Sequence, residues 1–155
     1  MLDKYTLGLN FLHSDSSACI FKNNQLIAAS EEERFTRVKH TSHFPINSIN
    51  YCLKEANIDI SKVSFVTLNT NPFSGLLKKI IYVLSNLSSL RIVIPSLLNS
   101  TKKIKLSNMI ANIDNDKVFK GKIVYTDHHE SHIASSLYFS NYEECANLSI
   151  DGFGD

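Results

Sequence analysis

The stretch YTLGLNFLHSDSSACIFKNNQLIAAS, residues 5–30, decides the fold. Tyr5 to Leu12 is apolar around Gly8, and the polar turn His13-Ser14-Asp15-Ser16 breaks it. Ala18-Cys19-Ile20-Phe21 resumes the apolar run, Lys22-Asn23-Asn24-Gln25 interrupts it, and Leu26-Ile27-Ala28-Ala29-Ser30 follows. Asn and Asp tolerate left-handed backbone, so both interruptions read as turns. Three short strand-like runs joined this way make an antiparallel meander.

Downstream the period changes. Ile46, Ile49, Leu53 and Ala56 recur at helical spacing, so a helix is expected from Ile46 to Ala56. Pro45 sits near its start, where a missing N–H costs little. Val63-Ser64-Phe65-Val66-Thr67-Leu68 is β-branched and aromatic, a fourth strand. Residues 73–117 read as an insertion holding one or two helices and an Asn/Lys-rich stretch. Lys122 to Tyr125 forms a fifth strand, His129 to Tyr138 a helix, and Ala146 to Ile150 a sixth strand. The order βββαβ–insert–βαβ is that of an α/β ribonuclease-H-like domain, the half-unit of the ASKHA (actin-like) group, with a mixed sheet. Ligands of open α/β sheets bind beyond the carboxyl ends of strands, and the polar motifs fall there.

Bulk properties bound the function. The chain has 155 residues, 43% hydrophobic and 20% charged, enough for one domain with a core. A net charge of +1 argues against a polyanion-binding surface, so no nucleic-acid partner is expected. Cys19, Cys52 and Cys145 form no CxxC pair. An odd, unpatterned set suits a reduced cytoplasmic protein. Met1 to Tyr5 carries an acid and no long apolar run, unlike a signal peptide. Leu76 to Leu98 is apolar but contains Lys78, Lys79 and Arg91, too charged for a membrane span.

Four constellations could carry chemistry. In Asp127-His128-His129-Glu130-Ser131-His132, the first and last of the three histidines lie four residues apart and share a helix face. They could hold one metal ion, zinc or iron; a capped helix start with surface histidines would look the same. Ile150-Asp151-Gly152-Phe153-Gly154-Asp155 places a carboxylate beside backbone open to phosphate or metal. It also fits a plain glycine turn. Together, His128, His132 and Asp151 would give two nitrogens and one oxygen, with open positions for substrate. The turn His13-Ser14-Asp15-Ser16-Ser17 could cradle an anion or orient a hydroxyl, with His13 or Asp15 as base; a polar β-turn explains it as well. Glu31-Glu32-Glu33-Arg34-Phe35-Thr36-Arg37-Val38-Lys39-His40 reads as a solvated loop that could bring Arg37, Lys39 and His40 to an anionic group.

Taken in order, these motifs resemble the N-terminal domain of the NodU/CmcH-type O-carbamoyltransferases. The resemblance runs from about Leu7 to Asp155 and is weakest in the insertion. It implies a Kae1-like fold and an enzyme that uses carbamoyl phosphate and ATP to form carbamoyl-adenylate. The carbamoyl group then passes to a hydroxyl of a small molecule. It places His128, His132 and Asp151 at metal-ligand positions, and His13 and Asp15 near the transferred group. Ser16, Ser17, Arg37, Lys39, His40, Gly152 and Gly154 become substrate- or nucleotide-binding residues. Many relatives have the histidine directly before the aspartate of the first turn, where this chain has Ser14.

A relative of this kind continues into the second half of the Kae1-like fold and a YrdC-like domain. The expectation is therefore an N-terminal piece, inactive alone, with a possible homo-oligomeric state. A tRNA threonylcarbamoyl-type transferase would need a more basic surface, and a non-catalytic binding or assembly module is the remaining alternative.

Overall fold

A computed structural model describes residues 3–11, 14–69, 106–111, 113–114 and 116–150. The strands are Tyr5–Asn10 (β1), Ser17–Lys22 (β2), Gln25–Glu31 (β3), Val63–Leu68 (β4) and Lys122–Tyr125 (β5). Among the described residues the helices are Glu33–Thr36 (α1), Ile46–Glu55 (α2), Leu106–Ala111 (α3) and His128–Tyr138 (α4), with a 3-10 turn at Ile60–Lys62. The sheet order is β3-β2-β1-β4-β5. β1 is antiparallel to β2 and parallel to β4, and β2 is antiparallel to β3. This is the mixed α/β sheet of a ribonuclease-H-like half-unit. The meander is present: Asn23 and Asn24 both take positive φ, 49° and 69°, at the β2–β3 turn.

Alternation sets the core. Leu7 and Leu9 of β1 pair across to Ile20 and Ala18 of β2, and to Val66 and Leu68 of β4. All six are buried, and α2 adds Ile49, Cys52 and Leu53 where it packs on β2 and β3. Removing a side chain such as Leu7 or Ile49 costs about 2–5 kcal/mol in sites of this kind. The register slips where Tyr5 faces Val63 but Thr6 faces Phe65, leaving Ser64 as a bulge. Phe11 and Phe44 close the end of β1 edge to face, with centroids 5.4 Å apart.

Two glycines mark close approaches. A methyl at Gly8 would lie 2.7 Å from Cys19 Sγ on the facing strand. One at Gly121, just before β5, would lie 2.5 Å from the carbonyl oxygens of both Val63 and Ser64.

The chain divides into two compact units, Met1–Asn69 with Leu106–Val124, and Thr70–Lys105 with Tyr125–Asp155. The core above belongs to the first. Most of the expected insertion lies outside the described residues; α3, from its end, belongs to the first unit and buries Ile110 completely. In the second unit α4 buries none of its residues.

The expected sixth strand is corrected. Residues 145–150 form neither strand nor helix, and Leu148 and Ile150 are 84% and 81% exposed. A strand exists only where its backbone groups find a ladder partner. Among the described residues, nothing pairs with this run.

Candidate functional site

The first turn is built by its neighbours. Asn10, the last residue of β1, donates Nδ2 to the carbonyl of Asp15 at 3.0 Å. Asp15 takes φ 67°, and Ser16 then donates its N–H to Thr41 O at 2.9 Å. Glu32 donates its N–H to Ser16 O, also at 2.9 Å. These bonds tie the turn to the residue before α1 and to the loop that follows it. That loop carries His40 at φ 55°, and its Nδ1 lies 3.0 Å from Asp15 Oδ1. Arg37, at φ 59°, caps α1 through its N–H to Glu33 O. Arg37 and Lys39 are exposed on this loop, whereas His40 is engaged with Asp15 of the first turn.

Glu32 corrects the reading of the charged run as a solvated loop. Its side chain is buried, and its carboxylate accepts from the N–H and Nδ2 of Asn47 and from the N–H and Oγ of Ser48. Asn47 and Ser48 are the second and third residues of α2, whose N-cap, Pro45, offers no side-chain oxygen. Glu32 thus supplies the missing cap from elsewhere in the chain and brings negative charge to the helix N-terminus. Sequence reasoning missed it. The only local signal was an acid at an alternate position in the run continuing β3.

Two buried atoms at this corner have no hydrogen-bond partner among the described residues, Ser16 Oγ and Asn69 Oδ1. Asn69, just after β4, donates Nδ2 to Asn10 Oδ1 at 2.9 Å. Asn10 and Asn69 were also missed. Ser17 begins β2 opposite Glu31. His13 lies outside the described residues.

In the second unit, Asp127 caps α4 by accepting the N–H of His129 at 3.0 Å. The first turn of α4 puts His128 and His132 on one face, with their Nε2 atoms 3.2 Å apart and rings nearly perpendicular. Two nitrogens bound at 2.0–2.1 Å to one tetrahedral ion would lie about 3.3 Å apart. The separation is that of an imidazole–imidazole hydrogen bond, and it also lies close to the spacing of two ligands on one ion. His129 turns elsewhere, its Nδ1 2.9 Å from Ser149 Oγ. A hollow of about 250 Å³ opens beside His132, lined also by Ile133, Ser136, Leu148, Ser149 and Ile150. Among the described residues, no cluster of three or more His, Cys, Asp or Glu side chains is poised for a metal. Asp151, Gly152 and Gly154 lie outside the described residues.

The described residues thus give an α/β half-unit with a polar first turn in one unit, and a helix that opens on paired histidines in the other. The chain belongs to the carbamoyltransferase family: the family model for the carbamoyltransferase N-terminus matches residues 5–155. The nodulation protein NolNO of Sinorhizobium fredii is 33% identical over 147 residues, covering 94% of this chain and 20% of that protein. The uncharacterized protein sll1178 of Synechocystis sp. is 32% identical over 158 residues, covering 97% and 26%. The chain therefore spans a fifth to a quarter of the length of these relatives. YeaZ from Pseudomonas aeruginosa shows a partial structural likeness, with a TM-score of 0.33 and 12% identity over 44% of this chain and 30% of that one. Among the described residues, no helix is long and apolar enough to cross a membrane.

Proposed function

We propose that this chain is the N-terminal portion of an O-carbamoyltransferase. It moves a carbamoyl group from carbamoyl phosphate, by way of carbamoyl-adenylate made with ATP, to a hydroxyl of a small molecule. The observation that carries the reading is the His128–His132 pair, 3.2 Å between Nε2 atoms, inside a chain matched to this family along nearly its whole length.

His128 and His132, with Asp151 as third ligand, would hold iron or zinc. A metal there would polarise the carbamoyl carbonyl toward attack. Asp127 orients the helix start that presents the histidines, and Asp15 in the first turn serves proton removal from the acceptor hydroxyl. The exposed Arg37 and Lys39 supply positive charge for the phosphate of the donor. In this reading a second Kae1-like half and a YrdC-like adenylate-forming domain complete the enzyme, and residues 5–155 do not carry out transfer by themselves. The protein works in the cytoplasm.

The test is elemental analysis of chain purified without chelator, beside the His128→Ala, His132→Ala double variant. About one equivalent of iron or zinc, lost in the variant, supports the reading. A metal content that the double variant leaves unchanged removes its main support.

A further inference from the structure

We propose that His40 is the general base that takes the acceptor's proton, and that Asp15 sets its tautomer. This rests on the carbamoyl-transfer reading and assigns roles within it that the sequence left to His13 or Asp15.

The geometry is one-sided. The ring atom next to the carboxylate is Nδ1, 3.0 Å from Asp15 Oδ1. A neutral imidazole facing a carboxylate carries its proton on the facing nitrogen, which leaves the Nε2 lone pair as an acceptor. The imidazole is 76% exposed and the carboxylate 51%, so a substrate hydroxyl can approach.

Stability does not explain the pair. Both residues take left-handed backbone, φ 67° at Asp15 and 55° at His40, which non-glycine residues adopt at a cost. A contact this exposed returns less than two such residues cost. The surrounding bonds impose the conformation: Asn10 on Asp15 O, Thr41 O on Ser16 N–H, and Ser16 O on the N–H of the anchored Glu32. A strained pair kept in register by this many tethers is the pattern of a preorganised site.

The step balances. As the acceptor oxygen bonds to the carbamoyl carbon, its proton passes to His40 Nε2. The bond from that carbon to the phosphate oxygen of the mixed anhydride breaks, and the phosphate leaves with the electron pair. The imidazolium, its Nδ1–H held by Asp15, then gives the proton to water.

The test is ¹⁵N NMR of the chain labelled at histidine, at a pH where the rings are neutral. The expected result is the Nδ1–H tautomer for His40, reverting to the commoner Nε2–H form in Asp15→Ala; Asp15→Asn replaces it if that variant does not fold. An Nε2–H tautomer in the unaltered chain, or no change on substitution, overturns the proposal. A second arm supplies the rest of the polypeptide, taken from NolNO, in trans. With transfer restored, His40→Gln should lower kcat by roughly 10²–10⁴-fold and leave the acceptor KM within a factor of about two. Transfer that survives His40→Gln overturns the base. No transfer from the unaltered chain, with the tautomer as expected, counts against the carbamoyl reading and not the pair.

Discussion

Glu32 and Ser48 are joined twice by one oxygen: Glu32 Oε2 accepts both the N–H and the Oγ–H of Ser48, each at 2.9 Å. Asn47 does the same at Oε1, so one carboxylate serves four donors at the head of α2.

Glu32→Ala leaves those donors without their acceptor in a buried place. Charged hydrogen bonds and helix caps are each worth on the order of 1–3 kcal/mol, so the expected loss is about 3 kcal/mol. Urea unfolding measures it, and Glu32→Gln, which keeps one acceptor, should lose less. A loss below about 1 kcal/mol for Ala would show that water satisfies the helix head.

Gly121→Ala and Gly8→Ala separate two kinds of crowding. At Gly121 the new methyl meets the carbonyl oxygens of Val63 and Ser64, both 2.5 Å away, and backbone must move. The expected cost is about 2–3 kcal/mol. At Gly8 the obstacle is the Cys19 thiol, and Cys19→Ala removes it. The Gly8→Ala, Cys19→Ala double variant should therefore be more stable than the sum of the single changes. Strict additivity would mean the thiol is not what Gly8 avoids.

The three thiols should react in a fixed order. Cys145 is exposed, Cys19 is partly exposed, and Cys52 is fully buried beside the carbonyls of Ala18 and Ala28. Burial pushes the Cys52 thiol up to about 12, helped by nearby Cys19 and Glu55, and burial raises Cys19 as well. At pH 8 the Cys52 thiolate is then roughly one part in ten thousand. Timed alkylation followed by peptide mass mapping should label Cys145 first, then Cys19, and Cys52 only on unfolding. Labelling of Cys52 in native protein at the rate of Cys145 would contradict the packing of α2 on the sheet.

Acid should loosen the β2–β3 turn from the start of β1. Hydrogen bonding to Lys22, then to Asn23, lowers the Asp3 carboxyl below its ordinary 3.8. Asn23 also accepts from Lys4 N–H at 2.9 Å. A carboxyl lowered on folding stabilises above its unfolded value and stops doing so as pH falls through the folded one. The contribution is thus intact above about pH 4 and lost below it. Asp3→Asn should flatten this part of the stability–pH curve, read by thermal melts between about pH 2 and pH 6. Parallel curves for both proteins would remove Asp3 from the account.

Much of the first unit was legible because its signals are local. Asn23-Asn24 announced a left-handed turn and has one, and Ile46 to Ala56 announced a helix that runs Ile46–Glu55. The histidine spacing likewise required a shared helix face, and both rings lie on it, 3.2 Å apart at Nε2. What the sequence did not reveal was non-local. Glu32 sits in a run of charges and looks solvated until its partners, fifteen and sixteen residues on, fold over it. The contact of His40 with Asp15 was likewise not legible, because Asp15 lies twenty-five residues earlier. Ala146 to Ile150 has strand composition, but composition does not supply a neighbouring edge.

The place of β1 between β2 and β4 also fixes an order of assembly. Its antiparallel pairing with β2, and that of β2 with β3, closes short loops, whereas its parallel pairing with β4 must wait for a segment more than fifty residues on. Short closures come first because the entropy of a loop grows with its length. On the ribosome the meander can collapse while β4 is still unmade. Substitutions in the β2–β3 hairpin should accordingly slow refolding, and those in β4 should chiefly hasten unfolding.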